Sequence, residues 1–397
     1  MKAILGGIEM KNKKLVMIPG PTPVARSIQD QMGRETVAFG DADFIKDFKE
    51  ALDDLKEIFK TKGQAFVVAG TGTLAMEMGI SNVTKEGDKV LVISHGYFGD
   101  RYAELCQRKG LQVDVLSSEW GSIVPVEEIE KKLKEKDYKA VTVTHVDTST
   151  GVCAPLWEIG DIIKKYEDTI LVVDGVCATG AEPEYIDDMG IDVLITGSQK
   201  ALGLPPGLAL VFAGEKALER RKSLGVIREY YMDFEKWLPI MEDPSKYFAT
   251  PAVNMIWALK AALNIIKEEG IENRYERHKK FATAMQSAIE SIGFRILAEK
   301  EHRAVTLSNV LYMEGIEDIE FRKVLAEEGV VVAGGLGEYA GKMFRLGHMG
   351  NIDYHYLVST ISAIERTLHR LGVADVLGKG VTVLTEMLMG EPAKGRS

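Results

Sequence analysis

From Gln64 onward, short runs of β-branched and aliphatic residues alternate with longer stretches whose apolar positions recur every three or four residues. The short runs are GQAFVVAG, KVLVIS, QVDVLSS, AVTVTHVD, ILVVD, IDVLITG and LALVFAG, ending at Gly70, Ser94, Ser118, Asp147, Asp174, Gly197 and Gly214. Each has the length of one strand, and near-continuous Val, Ile and Leu marks strands covered on both faces. Helices are predicted from Thr73, over Asp100–Lys109, over Val126–Glu135 just after Pro125, and around Leu156–Tyr166. Strands alternating with helices predict an α/β fold with a buried, mostly parallel sheet.

The pattern then changes. Ser223–Thr250 is irregular and rich in aromatic residues, and a long helical stretch follows from Val253 to about Ile292. After it come FRIL, LSNVLYM, a helix over Ile319–Glu328, VVVAGG, MFRLGHMG and a helix over Tyr354–Leu371. That order predicts a smaller α+β domain beginning near Gly270. The expected division is a large α/β domain over 16–269 and a small one over 270–397, with segment 1–15 joining the small one. A chain of 397 residues is long enough to build two cores. TVLTEMLM is a candidate helix, and EPAKGRS reads as a frayed end.

Composition narrows the partners. With 46% hydrophobic and 27% charged residues the chain has a globular balance. Its net charge of -10 argues against nucleic acid or an anionic membrane as the main partner. Cys106, Cys153 and Cys177 have no metal-type spacing and cannot form a disulfide framework, which favours a reducing, cytoplasmic setting. No run of about 18 apolar residues predicts a membrane span, and Met1–Met10 lacks a secretory signal pattern. The seven histidines are scattered, so no metal site is expected.

In a parallel sheet the ligand sits beyond the carboxyl ends of the strands, so the residues just after each run carry the chemistry. Gly70-Thr71-Gly72-Thr73 follows a strand and opens a helix, where unpaired N–H groups face an anion. With Ala75 it also fits G-x-G-x-x-A, but a dinucleotide needs an acid at the end of the next strand, and that strand ends Ile93-Ser94-His95. A bare phosphate fits better. Asp174 ends ILVVD as a cap, a metal ligand or the partner of a buried cation. Lys200 follows IDVLITG among Gly197, Ala201, Leu202, Gly203, Pro205, Pro206 and Gly207. A lysine is usually solvated, but one placed among small apolar residues is the kind that forms an imine with an aldehyde.

PGPTPV (Pro19–Val24), the Gly70–Thr73 loop, HGYFGDR (His95–Arg101), THVDTSTGV (Thr144–Val152), VVDGVCATGAEP (Val172–Pro183), ITGSQKALGLPPG (Ile195–Gly207) and GGLGEYAGKMFRLGHMG (Gly334–Gly350) occur in this order. Together they resemble the class V aminotransferases, which depend on pyridoxal 5'-phosphate (PLP), and within them the alanine–glyoxylate/serine–pyruvate branch. The resemblance runs from about Val16 to Leu371. GSQKALGLPPG is its most specific element, and the GTGT loop alone is weak.

The resemblance implies a fold-type I PLP-dependent transferase and a set of roles. Lys200 matches the Schiff-base lysine, and Asp174 the acid that keeps the pyridine nitrogen protonated so that the ring accepts electrons. Val176 would pack on one ring face and Phe98 stack on the other, where this branch often has tryptophan. Thr148 would hydrogen-bond the phenolic oxygen, while Thr71, Gly72, Thr73 and Gln199 bind the phosphate. Tyr247 and Thr250 match residues that reach the phosphate from the neighbouring subunit, which implies a homodimer with shared active sites. Arg345 matches the arginine that grips the substrate carboxylate in a two-pronged pair. Threonines replace the usual serines of the phosphate loop, and with Phe98 this leaves the pocket size open.

The implied reaction is ping-pong transamination from a small amino acid such as serine or alanine to a small 2-oxo acid such as pyruvate or glyoxylate. Three rivals remain: another specificity such as aspartate, a cysteine desulfurase, and a non-catalytic PLP-binding regulator. A desulfurase wants a cysteine in the C-terminal half, and none lies beyond Cys177. Against a regulator, the chain is acidic, shows no DNA-binding segment and keeps both Lys200 and Arg345. Arg101 is a candidate second cation of the pocket, though a salt bridge at its helix start is the plainer expectation.

Overall fold

The computed structural model describes residues 14–389. Seven strands form the large sheet: β1 Gln64–Ala69, β2 Lys89–Ser94, β3 Gln112–Ser117, β4 Ala140–Thr144, β5 Ile170–Asp174, β6 Val193–Gly197 and β7 Leu208–Ala213. Their spatial order is β1-β7-β6-β5-β4-β2-β3. All pairings are parallel except those of β7, which runs antiparallel to both β1 and β6. Every residue of β4, β5, β6 and β7 is buried, as their unbroken apolar sequences require of strands covered on both faces.

Helices α1 (Gly72–Ser81) and α2 (Tyr97–Arg108) follow β1 and β2 directly. Two expectations shift here. Helix α2 begins three residues before Asp100, because a remote carboxylate caps its first turn. AVTVTHVD divides into β4 and a short strand, Val146–Asp147, paired with Val152–Cys153. The break falls at His145, whose Nδ1 lies 2.7 Å from Glu184 Oε1.

The stretch from Val253 is two helices, Val253–Glu269 and Ile271–Ser291. Gly270 between them has φ +80°, a left-handed conformation that other residues adopt at a cost. Beyond lies a four-stranded antiparallel sheet of β8 Arg295–Ile296, β9 Leu307–Leu311, β10 Ala333–Gly334 and β11 Met343–Gly347, ordered β8-β9-β11-β10. One apolar core spans Ile28 to Tyr275, and a second joins Met17 to residues between Phe281 and Leu384. Leu15–Val16 pairs in parallel with Val330–Val331, and Gly347 N–H donates to Met17 O at 2.9 Å. TVLTEMLM falls in the helix Lys379–Met389, while segment 1–13 and the EPAKGRS end lie outside the described residues.

Candidate active site

The carboxyl ends of β4, β5 and β6 and the start of α1 surround a cavity of about 210 Å³. Thr71, Gly72, Thr73, Phe98, Thr148, Asp174, Val176, Gln199 and Lys200 all line it. Of the surface grooves of about 440 and 650 Å³, one adjoins the cavity at Thr73 and Arg101, and none contains Asp174, Gln199 or Lys200. The small cavity is the candidate site.

Thr71 is the N-cap of α1 and makes no side-chain cap bond, so the first amides of the helix stay available to an anion. Gly72 is required by space. A Cβ there would lie 2.8 Å from a Val176 methyl, which itself walls the cavity.

Asp174 is buried at the tip of β5. Its carboxylate accepts from the Val176 N–H at 2.9 Å and the Thr144 hydroxyl at 3.5 Å. Burial pushes its pKa up to about 7, and the Asp147 and Glu184 carboxylates push the same way; the Val176 N–H and the Lys200 charge oppose them. Between about pH 4 and 7 the folded chain therefore holds a proton that the unfolded chain has released. The stabilisation tied to that proton is full below about pH 4 and fades as pH rises towards 7. Cofactor-free wild-type protein should thus lose melting temperature relative to Asp174→Asn as pH is raised from 4 to 8. A constant difference across that range would show that the carboxylate is already compensated inside the chain.

Lys200 is half-buried. Its Nζ donates to Pro19 O, in the loop that carries PGPT past the cavity. Gly20 in this loop has φ +104°, and a Cβ there would lie 2.8 Å from the Lys200 amine. Thr22 pins the lysine backbone on both sides, its N–H donating to Gln199 O at 3.1 Å. Thr22 Oγ1 donates to Lys200 O at 2.8 Å, and the buried Arg274 donates to Ala201 O at 2.7 Å.

Phe98 owes its position to Asp147. That buried carboxylate accepts from the N–H groups of Phe98 (2.9 Å) and Gly99 (3.2 Å) with one oxygen. Its other oxygen accepts from Ser149 N–H (2.9 Å) and hydroxyl (2.7 Å). It thereby caps α2 from a loop about fifty residues away and fixes the aromatic wall.

Thr148 connects the cavity to the small sheet. Arg345 on β11 donates from Nη1 to Thr148 Oγ1 at 3.2 Å and from Nε to Gly334 O at 2.8 Å. Burial pulls its pKa below the ordinary guanidinium value. Asn309 on β9 donates to Ser149 O at 2.6 Å and Thr148 O at 3.3 Å, tying the same loop down.

Tyr247 and Thr250 are not brought into this cavity. Their hydroxyls lie 3.4 Å apart on an exposed segment, with Tyr247 60% accessible. Sequence reasoning missed Asp147, Asn309, Thr22 and the Pro19 carbonyl as partners of the site. Asp147 alone had a local signal, as an acid followed by Ser149 in a strand-end turn. Among the described residues no cluster of three or more His, Cys, Asp or Glu could hold a metal ion, and no helix is long and apolar enough to cross a membrane.

The doubly wound sheet with a strand-end lysine, a buried strand-end acid and an open helix start defines a fold-type I PLP-dependent transferase. The sequence profile of the class-V aminotransferases matches residues 27–348, and the chain belongs to that family. An uncharacterized aminotransferase of Methanocaldococcus jannaschii is 39% identical, over 96% of this chain and 98% of its own. Alanine–glyoxylate aminotransferase 1 of Saccharomyces cerevisiae is 34% identical, over 91% and 99%. The crystal structure of an alanine–glyoxylate aminotransferase from Nostoc sp. superposes with a TM-score of 0.86 at 31% identity, covering 92% of this chain and 97% of that one. The residues present fit PLP. Among the described residues the buried Asp174 carboxylate has no hydrogen-bonding cation, and a protonated ring nitrogen would supply one. The amides of α1 offer an uncapped cradle for a phosphate.

Proposed function

We propose that this aminotransferase moves the amino group of a small monocarboxylic amino acid, serine or alanine, to glyoxylate or pyruvate, using the cavity at Lys200. The observation that carries the substrate reading is the single arginine, Arg345, that the small sheet presents at the Thr148 loop. When bound, PLP supplies the electron sink that stabilises negative charge at the substrate α-carbon.

The chain's own groups do the rest. Lys200 would be the covalent anchor of the cofactor, and its amine, when free, would be the group that moves the substrate α-proton. Asp174 keeps the ring nitrogen protonated. Val176 and Phe98 hold the ring between them, and Thr148 donates to its phenolic oxygen. Thr71, Gly72, Thr73 and Gln199 bind the phosphate. Arg345 clamps the substrate carboxylate with two parallel N–H bonds, trading its Thr148 contact for the ligand.

A homodimer completes the site in this reading, with Tyr247 and Thr250 reaching the partner's phosphate; their exposure, and their not lining their own chain's cavity, support it. The two cores support a large and a small unit divided near 269/270, with Met17 joining the core of the small unit and Ile271 and Tyr275 that of the large one. A cytoplasmic setting follows from three cysteines without disulfide or metal spacing.

The test is a scan of amino donors against 2-oxo acid acceptors, with the mass in solution measured alongside. Serine and alanine should exceed aspartate and glutamate, because one guanidinium leaves a second carboxylate buried and unpaired. A wide preference for aspartate would overturn the substrate reading, and a monomeric mass at full activity would overturn the shared site.

A further inference from the structure

Arg101 stands in the wall of the same cavity, one turn into α2. The salt bridge expected at its helix start is not formed. Its acidic neighbours are engaged elsewhere: Asp100 accepts from Ser94 Oγ at 2.7 Å, and Glu104 pairs with Arg108 at 2.6 Å. The Arg101 guanidinium lies instead 4.7 Å from the centre of the Phe98 ring and 5.2 Å from that of Tyr97. Among the described residues it has no ion pair and no hydrogen bond. The other cation of the cavity wall, Lys200, donates to Pro19 O.

We infer that Arg101 is the charged partner of the cofactor phosphate. The cradle formed by Thr71, Gly72, Thr73 and Gln199 offers hydroxyls, a side-chain amide and backbone N–H groups, all of them neutral. A phosphate monoester carries close to two negative charges at neutral pH, and neutral donors with one helix start offset only part of that. A guanidinium packed against aromatic rings, with no other partner, leaves the N–H groups of its own plane free, the fork with which arginine takes two phosphate oxygens at once. The Arg101 side chain also lines the adjoining groove together with Thr73, so it borders the cradle at the threonine where the phosphate would lie. Asp147 is the positioning residue of this arrangement, since it fixes the start of the helix that carries both Phe98 and Arg101. The inference rests on the reading of this cavity as the PLP site. It also leaves Arg345 as the one arginine for the substrate, since Arg101 is engaged at the other end.

The experiment compares wild type, Arg101→Gln and Arg101→Lys, each prepared as holoenzyme. Cofactor release on dilution and rebinding after dialysis are followed by visible absorbance, with pyridoxal, which lacks the phosphate, as the second probe. Arg101→Gln should raise the Kd for PLP at least tenfold and weaken its dependence on salt, while leaving pyridoxal binding within twofold of wild type. Arg101→Lys should fall between the two. Unchanged PLP affinity in Arg101→Gln overturns the inference, and if dicarboxylic donors alone then lose rate, the anion Arg101 meets is a substrate carboxylate. Equal weakening of PLP and pyridoxal also overturns it, because the loss then comes from the Phe98 wall. Failure of the wild type itself to bind PLP removes the cofactor site as a whole, an outcome distinct from a failure of Arg101 alone.

Discussion

Lys200→Ala should reduce transamination by at least about a thousandfold while leaving the melting temperature of the cofactor-free protein close to wild type. The large loss is expected because the proposed mechanism uses one amine twice, as the covalent anchor of the cofactor and as the base at the substrate α-carbon. The small structural effect is expected because the bonds that fix this position use the backbone. Thr22 and Arg274 grip the carbonyls of Lys200 and Ala201 whatever side chain is present, and the amine gives up only its bond to Pro19 O. Borohydride treatment of the yellow wild-type protein should fix the cofactor to the peptide containing Lys200. Recovery of the label on another lysine would end the assignment. A variant that lost activity only through unfolding would betray itself by its melting curve.

The second large effect is expected at Arg345. Changing it to lysine keeps the charge but removes the planar fork, so two parallel bonds to a carboxylate become one. Lysine also cannot hold Gly334 O and reach Thr148 Oγ1 at the same time, as the guanidinium does with Nε and Nη1. The expected loss in kcat/KM is about 2–4 kcal/mol, or roughly 30- to 1,000-fold, for a substrate carboxylate clamped by a half-buried cation. Steady-state kinetics with alanine and serine check it. The accompanying control is the PLP Kd, which should not move if Arg345 serves the substrate as proposed. A loss below threefold would mean that another group carries the carboxylate.

How far the sequence reached can be judged from particular elements. KVLVIS and ILVVD coincide with β2 and β5 residue for residue, because strands buried on both faces leave an unbroken apolar signal. That periodicity also placed Asp174 and Lys200 at strand ends, and the structure puts both on one cavity. The antiparallel direction of β7 was not legible, since a buried strand reads the same in either direction. The helices Arg26–Met32 and Ala42–Ile58 went unread. The second carried a usable signal in Asp41, which accepts from the N–H groups of Asp43 and Phe44 ahead of apolar Phe44, Phe48, Leu52 and Leu55. The partners of the site were out of reach for a different reason. Pro19 meets Lys200 across 181 positions, and Asn309 meets Ser149 across 160, so no local pattern encodes either pairing. Their residue types, a carbonyl and an amide, become informative only once the chain has folded.

The clamped root of Lys200 also bears on how the proposed mechanism delivers its amine. With the Gln199 and Lys200 carbonyls on either side of its side chain held by the Thr22 N–H and hydroxyl, the only slack is a tether of four methylenes, and the amine cannot diffuse beyond its reach. In the proposed mechanism such a tethered amine would act at an effective concentration far above that of a dissolved one. Its exchange with a substrate amine would be a competition between a leashed group and a free one, and the leashed group would have the shorter way back.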